Sequence, residues 1–503
     1  MPAVYDEQFD FSGGIQVSHK PVAQPENSSL MLRNVQIIGD GYFSWRKGRV
    51  KEKLDQYYQD NKPQSIRGIY FYKYGTTKKL LVFVNTKVYL YDYINKNESV
   101  LIDTLTNTGS RTFNCTDYYD NVVITDGENA PVKFDGTVIS PIGGTSNILQ
   151  FTEEYQNYLF GSIGDRFVYF SDLYNIDAWN DSIVISKSKF DPVKALKKFQ
   201  GALWIWTERE IYIVEGESRS AFVKYLHSSV CGTVAHATVK VVCDKLIWLD
   251  NEGFWSSDGG QPTRIGFGIA QLQIKIDKDA ISKSWAVVYT EPESGYTKYL
   301  CFVPVAKSGE STINNYCFVY HWDFDCWTFN DNYPGAVAAE AEDTYGNKVL
   351  FSGDENGWLW QLDTGEMDDG NIVPGAYISR TFDCKKPEFI KTVNWIWLWY
   401  RTKVAKNLKM QISVDFGNTV FPASGYKSLS LTGSGDVPDI YELEALGDEQ
   451  HYLRDQRARV LKIGPLSGVI GHKFQLRLWN VDFGNRVDIL GWQAFGELGG
   501  MFN

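Results

Sequence analysis

No apolar run in this 503-residue chain approaches the ~20 residues needed to cross a bilayer as a helix. Residues Met1 to Lys20 also lack the basic start and apolar stretch of a secretion signal, so neither a membrane span nor an export address is expected. The seven Cys, at 115, 231, 243, 301, 317, 326 and 384, include no CxxC pair, and their odd number in a long chain does not indicate a disulfide framework. They read as reduced, buried thiols. None of the six His belongs to an HExxH helix, no Ser sits in a GxSxG elbow, and no Gly-rich stretch carries a P-loop Lys-Ser/Thr. No catalytic, cofactor-binding or metal-ligating residue is therefore assigned, and no cofactor is expected. The absence of motifs leaves open a pair of distant carboxylates that meet in the fold as acid and base. Basic charge is also short: 50 Lys and Arg against 61 Asp and Glu give a net charge of −11. That balance excludes a broad phosphate-binding face and leaves room only for a local basic patch.

What the chain has is aromatic and branched side chains. Sixteen Trp, thirty Tyr and twenty-nine Phe, with frequent Gly, favour pleated sheet and tight turns, and the fold class is read as all-β. A hairpin pattern then recurs seven times, starting at Leu80, Val122, Leu159, Leu203, Leu246, Leu300 and Val349. The starts lie 42, 37, 44, 43, 54 and 49 residues apart, close to the ~40–50 residue period of propeller blades. Most copies have a further strand upstream, such as "IRGIYFYKY" (66–74) and "VKALKKF" (193–199); a fourth strand per blade is suspected. The spacing predicts a β-propeller of about seven blades over 61–365, in preference to a plain sandwich. In "LWIWTEREIYIVEG", Leu203, Ile205, Ile211 and Ile213 are expected to face one neighbouring blade. Trp204, Trp206, Tyr212 and Val214 would then face the other.

Two regions fall outside the repeat. Residues 1–60 read as an extended arm and first strand, and the polar part up to about 35 is suited to closing the propeller by strand addition or reaching a neighbouring subunit. Residues 376–503 carry longer strands, among them "TVNWIWLWYRT" and "HKFQLRLWNVDF", and suggest a C-terminal antiparallel β-sandwich. Acidic, Gly-rich "DTGEMDDGNIVPG" (363–375) marks the boundary, and "VAKSGESTINN" (305–315) reads as an exposed insertion in the sixth copy.

Two stretches invite a chemical reading. "SGDENGWLW" resembles the Asp-box turn of sialidase-like propellers through Ser352, Asp354, Gly357 and Trp360, but its Asp is expected to cap the turn's own amides. "HWDFDCW" brings His321, Asp323 and Asp325 to one side of a strand, yet the flanking aromatics favour a turn over a metal site.

The stretch "FDFSGGIQVSHKPVAQPENSSLMLRNVQIIGDGYFSWRKGRV" (9–50) resembles the opening of tail hub and nozzle proteins of short-tailed bacteriophages, including packaged-DNA stabilisation proteins. The likeness rests on Phe11, Gly14, Asn34, Gly41, Phe43, Arg46 and Gly48, and extends loosely through "NYLFGSIGDRFVYFSDLYNIDAW" (157–179) and the blades after it. It implies a structural virion protein, made in the host cytoplasm, that forms a homohexameric ring of the tail below the portal. Its partners would be the portal or adaptor protein and tail fibres or other tail proteins. Genomic DNA would be retained and would leave through the lumen without sequence-specific binding, and the seven residues would serve assembly. The rival expectation is a carbohydrate-binding or glycan-hydrolysing propeller of a tail, in which exposed Trp and Tyr stack on sugars; their alternation within strands favours core packing instead.

Overall fold

The computed structural model describes residues 3–501 apart from 19–23, 54, 60–61, 103–104, 106–111, 146, 306–313, 334, 424, 434–457, 483 and 485. The chain is all-β, and its middle is a β-propeller. The first blade runs from Ile66–Tyr74 to Asn97–Ile102, the second from Asn114–Tyr118 to Ile139–Pro141, and the third from Phe151–Tyr155 to Asn175–Val184. The fourth runs from Val193–Phe199 to Val223–Ser228 and the fifth from Lys240–Val242 to Thr263–Arg264. Each is a four-stranded antiparallel meander, so the suspected fourth strand is present. A sixth meander, Trp285–Thr290 to Cys326–Asp331, continues into a ten-stranded sheet. The last blade takes three strands from Val337–Glu342 to Leu359–Leu362 and its fourth, Arg49–Lys51, from the start of the chain. Six sheets thus stand alone as blades, and the expected number of about seven is reached by counting the sixth meander.

The first strands of the second, third and fourth blades pack in succession, as do those of the fifth, sixth and last, and Val337–Glu342 returns to Ile66–Tyr74 to close the ring. Polar bonds join these inner strands: Thr116 Oγ1 donates to Thr152 O at 2.8 Å, Lys197 pairs with Glu153 at 2.8 Å, and Trp285 Nε1 donates to Ala338 O at 2.8 Å. Between blades the filling is apolar. Leu203 and Ile205 do face the third blade and Trp204 and Trp206 the fifth, but the second strand of the hairpin is reversed relative to expectation: Tyr212 and Val214 join Leu203, while Ile211 and Ile213 join the tryptophans. The cause is the register across the turn Thr207 to Glu210, which sets Leu203 opposite Val214 and Trp204 opposite Ile213, and opposed residues share a face.

The opening residues do not form a separate arm. Ala3–Gln8 pairs with Val487–Met501, and Val35–Ile38 and Tyr42–Trp45 extend the same sheet. Ser29–Arg33 lies between Ala376–Ser379 and, in parallel, Cys326–Asp331 of the sixth meander. Strand addition does close the propeller, but through Arg49–Lys51, downstream of the polar stretch expected to do it. The two sheets face each other as a sandwich over Phe11, Phe43, Leu398, Ile412, Leu476 and Trp492, and the same apolar cluster runs on to Phe254 and Phe318 of the fifth and sixth blades. Of the insertion at 305–315, residues 306–313 lie outside the described residues; Val305 N donates to Asn315 Oδ1 at its base, at 3.0 Å. The Cys are unpaired, and Cys243 is exposed where a buried thiol was expected, because it occupies a left-handed turn position at φ 51° between two strands. No helix among the described residues is long and apolar enough to cross a membrane.

Candidate functional site

The seven residues that carry the N-terminal resemblance fall into small groups along the segment that runs between sandwich and propeller: Phe11, Gly41 and Phe43 in the sandwich core, Asn34 with Arg46, and Gly14 and Gly48 against Trp327 and Met367. Phe11 and Phe43 are fully buried and stand edge to face at 4.8 Å, with Tyr377 stacked on Phe43 at 4.8 Å. Phe11 N donates to Gly41 O at 2.7 Å, which fixes the two ends of the loop against each other. Gly14 has φ 60°, and a Cβ there would lie 2.8 Å from Trp327 O, so only glycine lets this backbone reach the sixth meander. At Gly48 a Cβ would fall 1.9 Å from Met367 O.

Asn34 and Arg46 are the polar centre. Asn34 sits in the left-handed region at φ 54°, which Asn tolerates, and is fully buried. Its Nδ2 donates to Asp331 Oδ1 at 2.6 Å and to Pro374 O at 3.2 Å. Its Oδ1 accepts from Asp331 N at 3.0 Å and Arg46 Nε at 3.1 Å, so the side chain uses both donors and both lone pairs. The Arg46 guanidinium makes two parallel bonds to Asp368, at 2.8 and 2.7 Å, and lies over the Tyr333 ring at 4.5 Å. A buried charge pair of this kind adds little net stability, but stranding one partner is costly. Four separate pieces of chain, around residues 34, 46, 331 and 368, are thereby fixed in one geometry.

A second ionic group continues from Lys47. Glu291 lies 3.3 Å from Lys47 and 3.1 Å from Lys298, and Lys298 also reaches Gln36 at 3.3 Å. Burial pushes the Glu291 carboxyl up, but Lys298 and Lys47 outweigh it and hold it at about 2. His321, buried beside this group, is held near 3, chiefly by desolvation and then by Lys298. The cavity between them, lined by Gln36, Arg46, Lys298, His321, Asn330 and Tyr333, measures about 20 Å³. That is room for a water, far below the ~300 Å³ at which ligand pockets begin.

The other candidates have structural roles. Asp354 accepts from the amides of Asn356 and Trp358 at 2.9 and 2.8 Å and from Trp360 Nε1 at 2.9 Å, which makes the Asp-box-like turn a folding device. The same use of Asp recurs at Asp92, Asp126 and Asp343, each capping two amides of its own turn. In "HWDFDCW" the polar groups diverge: His321 Nε2 meets Thr328 Oγ1 at 2.9 Å, Asp323 accepts Thr297 N at 2.9 Å, and Asp325 accepts the Tyr320 hydroxyl at 2.6 Å. Among the described residues no group of His, Cys, Asp and Glu has the arrangement of a metal site. Carboxylates on the innermost strands are engaged across blades, Asp117 by the Tyr70 hydroxyl, Glu153 by Lys197, Glu340 by the Thr290 amide and Glu342 by Lys73. A hollow of about 220 Å³ between first and last blades is lined by Glu52, which is already bound to Lys96 and the Tyr91 hydroxyl.

Sequence reasoning missed Asp331, Asp368, Tyr333 and Glu291. Asp368 lies in a stretch whose Gly and acidic residues read as linker, and nothing local marks it as the partner of a residue 322 positions earlier.

No family model matches the chain, and no curated protein matches it. Among solved structures it is similar to the WD40 β-propeller domain of Doa1, at 9% identity and a TM-score of 0.41, covering 63% of this chain and 96% of that one. A chain of the mitotic checkpoint complex gives 11% identity and 0.38, covering 61% and 97%, and the N-terminal domain of Nup159 gives 10% and 0.39, covering 66% and 99%.

Proposed function

We propose that the chain is a structural virion protein of a short-tailed phage, forming an oligomeric ring of the tail below the portal that retains packaged DNA and gives it an exit channel. The observation that carries this reading is the junction: the residues on which the family resemblance rests are those that weld propeller and sandwich into one body. A ring component under load from packaged genome needs such a weld, whereas an enzyme needs a pocket, and the arrangement at the junction can hold chain segments together but offers no room for a substrate. In this reading the protein does no bond chemistry. Its net charge of −11 suits a channel wall that repels phosphate and lets DNA slide.

The retention role is tested with particles assembled without this chain. They are expected to package genome and then lose it, so that their DNA becomes nuclease-sensitive; particles whose DNA stays protected would overturn the role. The second reading, a glycan-binding or glycan-hydrolysing tail component, draws on Tyr119 and Tyr174, which are exposed with ring centroids 5.5 Å apart on the second and third blades. It predicts that the purified protein binds or cuts host polysaccharide and that replacing either Tyr abolishes this.

A further inference from the structure

The two outer faces of the sandwich differ. On the sheet containing Lys406–Val414 the outward residues are polar, among them Lys409, Gln411 and Arg477, as solvent requires. On the other sheet the outward face is aromatic. Strand Phe389–Thr402 turns Trp395, Trp397 and Trp399 outward at alternate positions, with Trp395 38% exposed. Tyr5, 58% exposed, and Phe495 stand opposite each other on the neighbouring strands, and Phe9 lies against Trp399 at 4.9 Å. Three strands at ~4.8 Å spacing and five residues at ~3.3 Å spread these rings over roughly 250 Å². This is about a third of the ~800 Å² that each partner buries in a standard interface, a size suited to its apolar centre, with a polar rim supplying the remainder.

A second apolar surface lies on the outer edge of the third and fourth blades. Val223 and Leu226, on the outermost strand of the fourth blade, are 63% and 51% exposed, and Val184 ends the outermost strand of the third. The two strands are tied by Lys224 Nζ, which donates to Val184 O at 2.8 Å. This edge is on blades that share no strand pairing with the sandwich, which pairs with the sixth meander and packs on into the fifth blade. The charges match as well. Glu7 and Glu497 project on the same side of their strands as Tyr5, while exposed Lys187 and Lys189 follow Val184.

We infer that the tryptophan face of one copy docks on the outer edge of the third and fourth blades of the next copy. The two surfaces are different, so the contact is head-to-tail and propagates into a ring when its rotation closes. This rests on the ring reading above and names the surfaces that would build it.

The test uses the full chain with Trp395→Arg, with Leu226→Arg, and an equal mixture of the two, scored by mass photometry wherever the wild-type chain forms its ring, in solution or on particles. Both positions are partly exposed, and an unchanged thermal midpoint checks folding. Each variant alone is expected to lose the ring completely, because every contact needs both surfaces. The mixture is expected to give dimers, since each pair retains one intact contact, and chains of three or more should be absent. Survival of the ring in either single variant would overturn the inference and leave the ring reading intact. Wild-type chain that forms no ring in solution or on particles would remove the ring reading, and the inference with it.

Discussion

The propeller and the sandwich are built from the same kinds of strand but assembled in opposite ways. In the first five blades every strand pairs with its neighbours in sequence. In the sandwich, Ala3–Gln8 and Tyr42–Trp45 pair with Val487–Met501, and Ser29–Arg33 with Ala376–Ser379, so the two ends of the chain interleave. Local pairs form at small loop-closure cost, whereas these pairs must wait until the last strands exist. The difference teaches that the blades are semi-independent units and that the rigidity of the whole depends on the few residues where distant segments meet: Asn34, Arg46, Asp331 and Asp368.

Asp368→Ala is the sharpest way to break that comparison, because it strands a buried guanidinium. It is expected to cost about 3 to 5 kcal/mol and to split denaturant unfolding, followed by Trp fluorescence, into separate sandwich and propeller transitions. A single transition at the wild-type midpoint would refute the role of the pair.

Acid acts on the same region next. Glu291 is held at about 2 in the folded chain against an ordinary 4.5, so its stabilisation is present above about pH 4.5 and is lost as pH falls toward 2. The loss expected is on the order of 3 kcal/mol, flattened in Glu291→Gln and measured by denaturant melts across that range. His321, near 3 when folded against 6.5, acts in the same direction: its buried neutral form favours the fold above pH 6.5 and loses that advantage as pH falls toward 3.

Within the propeller the effects are smaller. Asp354→Ala removes three accepted bonds from one turn and is expected to cost about 1 to 2 kcal/mol. Ile205→Val, one methylene in the filling between third and fourth blades, is expected to cost about 1 kcal/mol. Introduced beside Asp368→Ala, both should shift the propeller transition alone, and movement of the sandwich transition would show that the two regions unfold as one.

The same contrast explains what could be read from the sequence. The repeat was legible because each blade is a local meander, and its period survives in the apolar hairpins even where residues differ. Face assignment within a hairpin was half legible: parity held for Leu203 and Trp204 but reversed at Ile211, because the turn from Thr207 to Glu210 sets which residues stand opposite. The Asp-box-like turn was readable because the Asp354 carboxylate bonds to residues two to six positions away. The junction was not. Arg46 and Gly48 stood out through resemblance alone, and their physical reasons, the Asp368 carboxylate and the Met367 carbonyl, lie more than 300 residues downstream. Alternation favours core packing for the aromatics in general, and the tryptophans at 395, 397 and 399 depart from it because alternation shows that residues share a face and cannot show whether that face is covered.

The central claim is tested most directly by electron microscopy of the purified protein, alone and with particles from its source. For the proposed tail ring, closed rings at the portal vertex are expected, each subunit a propeller with the sandwich fixed to it in one orientation. Monomers absent from particles would contradict it.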